Sequence, residues 1–253
     1  MLTPPYDWIV PVIAAPFVGS FLGVLAVRIP ADEGVVAGRS RCRACGVALT
    51  PLELIPVLSW LAQGGKCRTC GAAIGWHYPL IEVAALVVAV WAAFTMEGAL
   101  LWVTVAFGWT LLALAAMDLR ALVLADALTL PLTGAGLVVT AWLNVEAVPN
   151  HVAAGGLGAL LIVAVAWTYR RLRGREGLGM GDAKLMAAAG AWVGLEGLGS
   201  VMLYGVALTL IVVLVKRVQG AAVDAETAMP LGAGLAAGLW LVWLYGPLML
   251  AAH

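Results

Sequence analysis

Residues 99–120 read ALLWVTVAFGWTLLALAAMDLR: nineteen residues without a charge, then Asp118 and Arg120. As a helix rising about 1.5 Å per residue, such a run reaches across the ~30 Å hydrocarbon layer of a bilayer. Seven more runs of this character flank it: 7–27 and 79–95 before it, and 123–143, 152–169, 182–196, 198–215 and 229–250 after it. The run 182–196 is short and rich in Ala and Gly, which suits a helix packed among others rather than one facing lipid. Composition agrees with this reading. The 253 residues are 63% hydrophobic and 11% charged, with a mean hydropathy of +1.01, whereas soluble domains lie near ~45–50% apolar and ~25% charged. One core could not hide that much apolar surface from water. The N-terminal run lacks the basic residues that open a cleavable signal peptide, so it reads as a retained first span.

The net charge is zero, yet the 14 basic residues are distributed unevenly. Arg28, Arg39, Arg41, Arg43, Lys66 and Arg68 lie between spans one and two. Arg120 follows span three, Arg170, Arg171, Arg173, Arg175 and Lys184 surround the gap between five and six, and Lys216 and Arg217 follow seven. The even-numbered connections, such as 144–151 with Asn144, Glu146 and His151, carry none. The positive-inside rule then makes the odd connections cytoplasmic and both termini external. The expected fold is an all-α polytopic membrane protein with about eight transmembrane helices and one small cytoplasmic loop domain. Its parts are the first span (1–27), the loop domain (28–78) and a seven-helix membrane core (79–253). A further short polar loop, about 216–228, holds Asp224 and Glu226. No internal repeat of the kind found in inverted-repeat transporters is visible.

The loop domain contains Cys42-Arg-Ala-Cys45-Gly46 and Cys67-Arg-Thr-Cys70-Gly71. Two C-x-x-C turns, each closed by glycine, are the layout of a pair of zinc knuckles in which four thiolates complete a tetrahedron. Such a metal is structural, since four cysteines leave no open position, and it holds together a loop too small to build its own core. The other readings are a dithiol redox centre or two unrelated thiol pairs. Structural disulfides do not suit the cytosolic placement.

Acids at span ends are functional candidates by default. Four stand there: Glu82, Asp118, Asp126 and Asp182, all toward the cytoplasmic ends. Asp182 sits in Gly179-Met180-Gly181-Asp182-Ala183-Lys184, where Gly179 and Gly181 allow another backbone to approach. If the ends carrying Asp118 and Asp182 meet, the two carboxylates share one site and do not both ionise comfortably. One then holds a proton while the other activates water, as in aspartic proteases. Taken singly, each acid is equally suited to pair with an arginine or to cap a helix.

These residues together resemble the type IV prepilin peptidases over almost the whole chain. The likeness rests on Gly19-Ser20-Phe21-Leu22-Gly23-Val24, on the cysteine loop with Leu54-Ile55-Pro56-Val57-Leu58-Ser59-Trp60-Leu61 and Tyr78-Pro79-Leu80-Ile81-Glu82, on Asp118-Leu119 with Leu128-Thr129-Leu130-Pro131, and on Gly179 to Leu185. The resemblance implies a G-x-G-D membrane aspartic protease with Asp118 and Asp182 as catalytic pair. It implies cleavage of prepilins or pseudopilins of type IV pili or type II secretion after a glycine, at the cytoplasmic face of the bacterial inner membrane. It also implies methylation of the new N-terminus from S-adenosylmethionine, with the cysteine loop tied to that step or to its fold. The expected partners are these substrates and the lipid bilayer, not nucleic acid; Glu82 and Asp126 are candidates for reading the basic leader. Departures are Gly23 for the usual asparagine, Arg43 and Ala125 for frequent prolines, and Trp76-His77 before Tyr78. None touches the two aspartates. The alternatives are a peptidase without methyltransferase activity and a small proton-coupled transporter.

Overall fold

The computed structural model describes residues 6–35, 39–174, 179–219 and 229–248. Among them regular structure is helical, apart from two isolated bridges, Arg41 with Ala48 and Lys66 with Ala73. The helices are α1 (Ile9–Arg28), α2 (Leu58–Ala62), α3 (His77–Thr95), α4 (Gly98–Ala121), α5 (Asp126–Leu143), α6 (Val148–Arg173), α7 (Met180–Val218) and α8 (Leu231–Tyr245). Six of the described helices, all but α2 and α8, are long and apolar enough to cross a membrane. The chain is an all-α, multi-pass membrane protein. Both termini, Arg175 and the acids Asp224 and Glu226 lie outside the described residues.

The expected spans 182–196 and 198–215 both lie within the 39 residues of α7, as two helical arms joined at a kink. A straight helix of that length would measure about 58 Å, nearly twice the hydrocarbon layer. It is not straight. Gly194, at φ 65 and ψ −173, leaves helical geometry, and the packing shows that the chain doubles back there. Gly232 lies against Asp118 and Gly234 against Thr209 of the second arm, while Asp118 is within electrostatic reach of Asp182 at the start of the first. The second arm has therefore returned to the end from which the first began. Two runs were legible, but the break falls at Gly194 because that turn needs a left-handed φ, which glycine adopts without penalty. The start of α6 braces the turn: Asn150 Oδ1 accepts from the Leu195 amide at 2.9 Å, and its Nδ2 donates to Glu196 Oε1 at 3.0 Å.

The chain divides into two compact units, Met1–Ala116 and Met117–His253. In the first, α1 and α3 pack antiparallel, with Gly19 against Ile81, Glu82 and Ala85, and Gly23 against Tyr78. Trp109 of α4 donates its indole N–H to the Ala85 carbonyl at 3.0 Å. In the second, α6 and α8 flank α7 along stripes of small residues. A Cβ on Gly158 would lie 2.7 Å from the Met186 carbonyl oxygen, and one on Gly238 would lie 2.7 Å from that of Val201. Lipid tails are as apolar as leucine, so helices gain little by hiding leucine from them. Close backbone approach and dispersion supply the attraction instead. The first arm of α7 is buried along most of its length, from Asp182 to Trp192, and Trp192 donates to the Leu132 carbonyl of α5 at 2.8 Å. This is the setting its short Ala/Gly-rich sequence led one to expect.

Gly190 is among the tightest of these contacts, and a Cβ there would land on the backbone of Ala154 and Gly155. Backbone cannot step aside as a flexible side chain can. Gly190→Val is expected to destabilise the protein by roughly 3 kcal/mol, at the upper end of ordinary overpacking. Gly156→Val, where a Cβ meets open space, should change little. Thermal unfolding of the two variants in the same detergent checks this.

Candidate active site

Asp118 and Asp182 are both buried, 5% and 9% exposed, and both belong to the second unit. Asp118 stands in the last turn of α4. Beyond it the chain passes through Leu122 at φ 54, whose amide donates to the Asp118 carbonyl at 2.9 Å. A leucine in this left-handed conformation is uncommon, and the turn brings Leu124 back beneath the site. Leu124 packs against Gly181 on one side and Gly232 on the other: a Cβ on either glycine would come within 2.9 Å or 2.8 Å of it. Asp182 follows Gly181, and the Asp118 carboxylate lies beside Gly232. The two acids therefore share one end of the unit, with Leu124 between the glycines that adjoin them.

Each carboxylate meets the N-terminus of a helix. Asp182 is the third residue of α7, and its Oδ2 accepts from the Gly179 amide at 3.3 Å. Asp118 Oδ2 accepts from the Ala233 amide at 2.8 Å, in the first turn of α8. The first amides of a helix lack intrahelical partners and carry its partial positive charge, so both termini favour negative charge there. Among the described residues no lysine or arginine is buried, and these amides face the two acids instead.

The remaining sequence candidates fall in different places. Gly179 is exposed at the mouth of α7, and Gly181 is half-buried on Leu124. Lys184 turns toward Asp126, the first residue of α5, with Nζ 2.5 Å from Oδ1 and both side chains partly exposed. Glu82 lies in the first unit and is buried; its Oε2 accepts from the Val57 amide at 2.6 Å. Sequence reading missed Leu124, Gly232 and Ala233. No motif announces them, because Ala233 acts through its backbone amide and Gly232 through having no side chain.

The four cysteines also converge, in the first unit. All are free thiols, and the four sulfurs lie within 4.8 Å of one another. The two turns are copies of each other. Gly46 and Gly71 both have φ 72, their amides each donate at 2.9 Å to the carbonyl of the first cysteine, and each turn closes on an isolated bridge. Cys42 Sγ is 3.8 Å from Cys70 Sγ. Zinc–sulfur bonds of about 2.3 Å in a tetrahedron put sulfurs about 3.8 Å apart, so the donor set fits a zinc ion. The amides of Cys45 and Ala44 pull the Cys42 thiol down to about 6. At Cys70 the Ala72 amide favours the thiolate, but desolvation and the neighbouring thiols outweigh it and push this group up to about 11.

Comparison with known proteins gives the chain a family. The family model described as bacterial peptidase A24 N-terminal domain matches residues 13–96, and that of the type IV leader peptidase family matches residues 105–215. A Burkholderia pseudomallei protein named prepilin leader peptidase/N-methyltransferase is 39% identical over 250 residues, covering 87% of this chain and 80% of its own. Proteins of the same name from Dichelobacter nodosus and Pseudomonas aeruginosa are 37% and 33% identical. The alignments cover 82% and 90% of this chain, and 71% and 87% of theirs. No solved structure matches. Similarity this long, over both the cysteine loop and the paired aspartates, establishes that the chain belongs to the type IV leader peptidase family.

Proposed function

We propose that this protein is a prepilin leader peptidase of the inner membrane that cuts prepilins or pseudopilins after a glycine and methylates the new N-terminus. The observation that carries the proteolytic half is the pair of buried carboxylates at the N-termini of α7 and α8. One carboxylate takes a proton from water, whose oxygen attacks the scissile carbonyl carbon. The other carboxyl gives its proton to the carbonyl oxygen. As the C–N bond breaks, the leaving amine takes up a proton and the leader is released as a carboxylate. The two roles belong to the pair, not to either acid alone. Gly179 and Gly181 leave room for an extended substrate segment, since no side chain at either position blocks a neighbouring backbone.

The acid-bearing end of the second unit also carries Arg120, Arg170, Arg171, Arg173, Lys184, Lys216 and Arg217. By the positive-inside rule it is the cytoplasmic end, where a basic leader would lie. Asp126 is partly exposed there, so a leader lysine or arginine can take the place of Lys184 as its partner. We assign leader reading to Asp126 rather than Glu82, whose carboxylate is engaged with Val57.

Methyl transfer rests on the relatives' name, and the methyl donor implied is S-adenosylmethionine. Cys42, Cys45, Cys67 and Cys70 would hold a structural zinc ion that fixes the two knuckles. Cys67→Ser is expected to lower zinc from about one ion per chain to near zero, because a four-thiolate site gains most of its affinity from completing its tetrahedron. Hydrogen exchange over residues 39–75 should rise with it; metal analysis and exchange mass spectrometry check both.

The function as a whole is tested by incubating the purified protein, in vesicles, with candidate prepilins and labelled S-adenosylmethionine. The expected product begins directly after a glycine and carries label on its amine. Uncut substrate overturns the peptidase reading. A cut but unlabelled product leaves the peptidase and removes the methyltransferase.

A further inference from the structure

The segment Pro51–Ala62, between the two knuckles, belongs to the first unit, and its chemistry is not that of a loop facing water. Of its residues, PLELIPVLSWLA, only Glu53 is charged. Glu53 is occupied locally, accepting from the Thr50 amide and hydroxyl at 2.8 Å each. The leucines instead point outward: Leu52 is 72% exposed, Leu58 65% and Leu61 60%, with Leu54 and Ile55 exposed beside them. A contiguous apolar face of this kind on a small polar domain marks an interaction surface.

Its position is fixed by an anchor. The segment folds as a 3-10 turn, Pro51–Leu54, and helix α2, which pack together across Val57. Val57 sits at φ 59, a conformation in which a β-branched residue is a genuine outlier. Strain of this sort persists only where the surroundings impose it. Here the Val57 amide donates to Glu82 Oε2 at 2.6 Å, and Ser20 of α1 is the other partner of that buried carboxylate. Glu82 is the sixth residue of α3, about 8 Å along a spanning helix. The middle of the loop is therefore fastened to the side of the α1–α3 pair, near the start of α3.

We propose that Pro51–Ala62 is an interfacial wedge whose exposed leucines enter the lipid leaflet beside α1 and α3. A dozen apolar residues are too few to span a bilayer and suit an interfacial segment. Exposed Arg39, Arg41, Lys66 and Arg68 on the adjoining knuckles complement anionic headgroups. Trp76, 69% exposed at the start of α3, takes the place that indole rings favour at a membrane surface. The loop domain thus rests on the membrane by its own apolar face, and the knuckles between which the wedge is slung hold that face together.

The test uses the full-length, zinc-loaded protein with Leu58→Cys, labelled on the new thiol with a polarity-sensitive fluorophore. It is reconstituted in phosphatidylethanolamine–phosphatidylglycerol vesicles, and wild-type protein labelled in parallel gives the background from the native cysteines. The expected result is blue-shifted emission, quenched by lipids spin-labelled near the glycerol and untouched by iodide. Leu52→Cys and Leu61→Cys report the same face, so the test survives if one variant fails to fold. Quenching by iodide and not by spin-labelled lipid at all three positions overturns the proposal. So does lipid quenching that is abolished when a prepilin membrane helix is added, because the face would then be a substrate groove.

Discussion

Gly232→Val is expected to lower prepilin cleavage by about 10²-fold, the penalty for displacing a reacting group by roughly 1 Å. Gly232 stands in the first turn of α8, directly against the Asp118 carboxylate. A Cβ there would lie 3.0 Å from both Cγ and Oδ2 of Asp118 and 2.8 Å from Leu124 Cδ1. Leu124 can shift a little, but Asp118 is tied by its 2.8 Å hydrogen bond to the Ala233 amide of the same turn. Moving the carboxylate away from the added side chain therefore also moves it off that amide. Gly232→Ala should show a smaller loss in the same direction. The measurement is the cleavage rate at saturating substrate, with thermal unfolding followed alongside. A slow enzyme of nearly normal stability is expected, in contrast to the unstable Gly190→Val.

The dependence on Gly232 was invisible in the sequence, and the reason is physical. Ala233 lies 115 positions from Asp118, and what it offers is a backbone amide that every residue but proline carries. A helix N-terminus becomes a ligand only once the fold has aimed it. The spans were legible for the opposite reason, because a bilayer demands long apolar runs whatever their neighbours do. The cysteine pairs were legible because each C-x-x-C-G both encodes its own turn and supplies its own donors. Glu82 lies between these cases: its place near a span end could be read, but its bond to Val57 could not. The reversal at Gly194 was half legible. The excess length of the apolar run required a break, and only the backbone shows which glycine makes it.

The largest expected effect belongs to the aspartates. Asp118→Asn and Asp182→Asn should each reduce cleavage by about 10⁴-fold or more, as removal of one member of a catalytic unit does. Asparagine is nearly isosteric with aspartate and keeps an oxygen to accept from Ala233 or Gly179, so the helix termini should stay docked and the protein folded. What it removes is the capacity to take a proton from water or to give one to the substrate. Neither variant should be rescued by its partner, since the acid and base roles require two carboxyl groups. Glu196→Gln, at the far end of the same unit beside the Gly194 turn, is the matched control. The decisive measurement is single-turnover cleavage of a prepilin in vesicles by wild type and these three variants, each matched for thermal stability. The expected result is cleavage by wild type and Glu196→Gln, and none by either aspartate variant over the same interval; cleavage by folded Asp118→Asn or Asp182→Asn at a rate comparable to wild type would contradict an aspartate dyad.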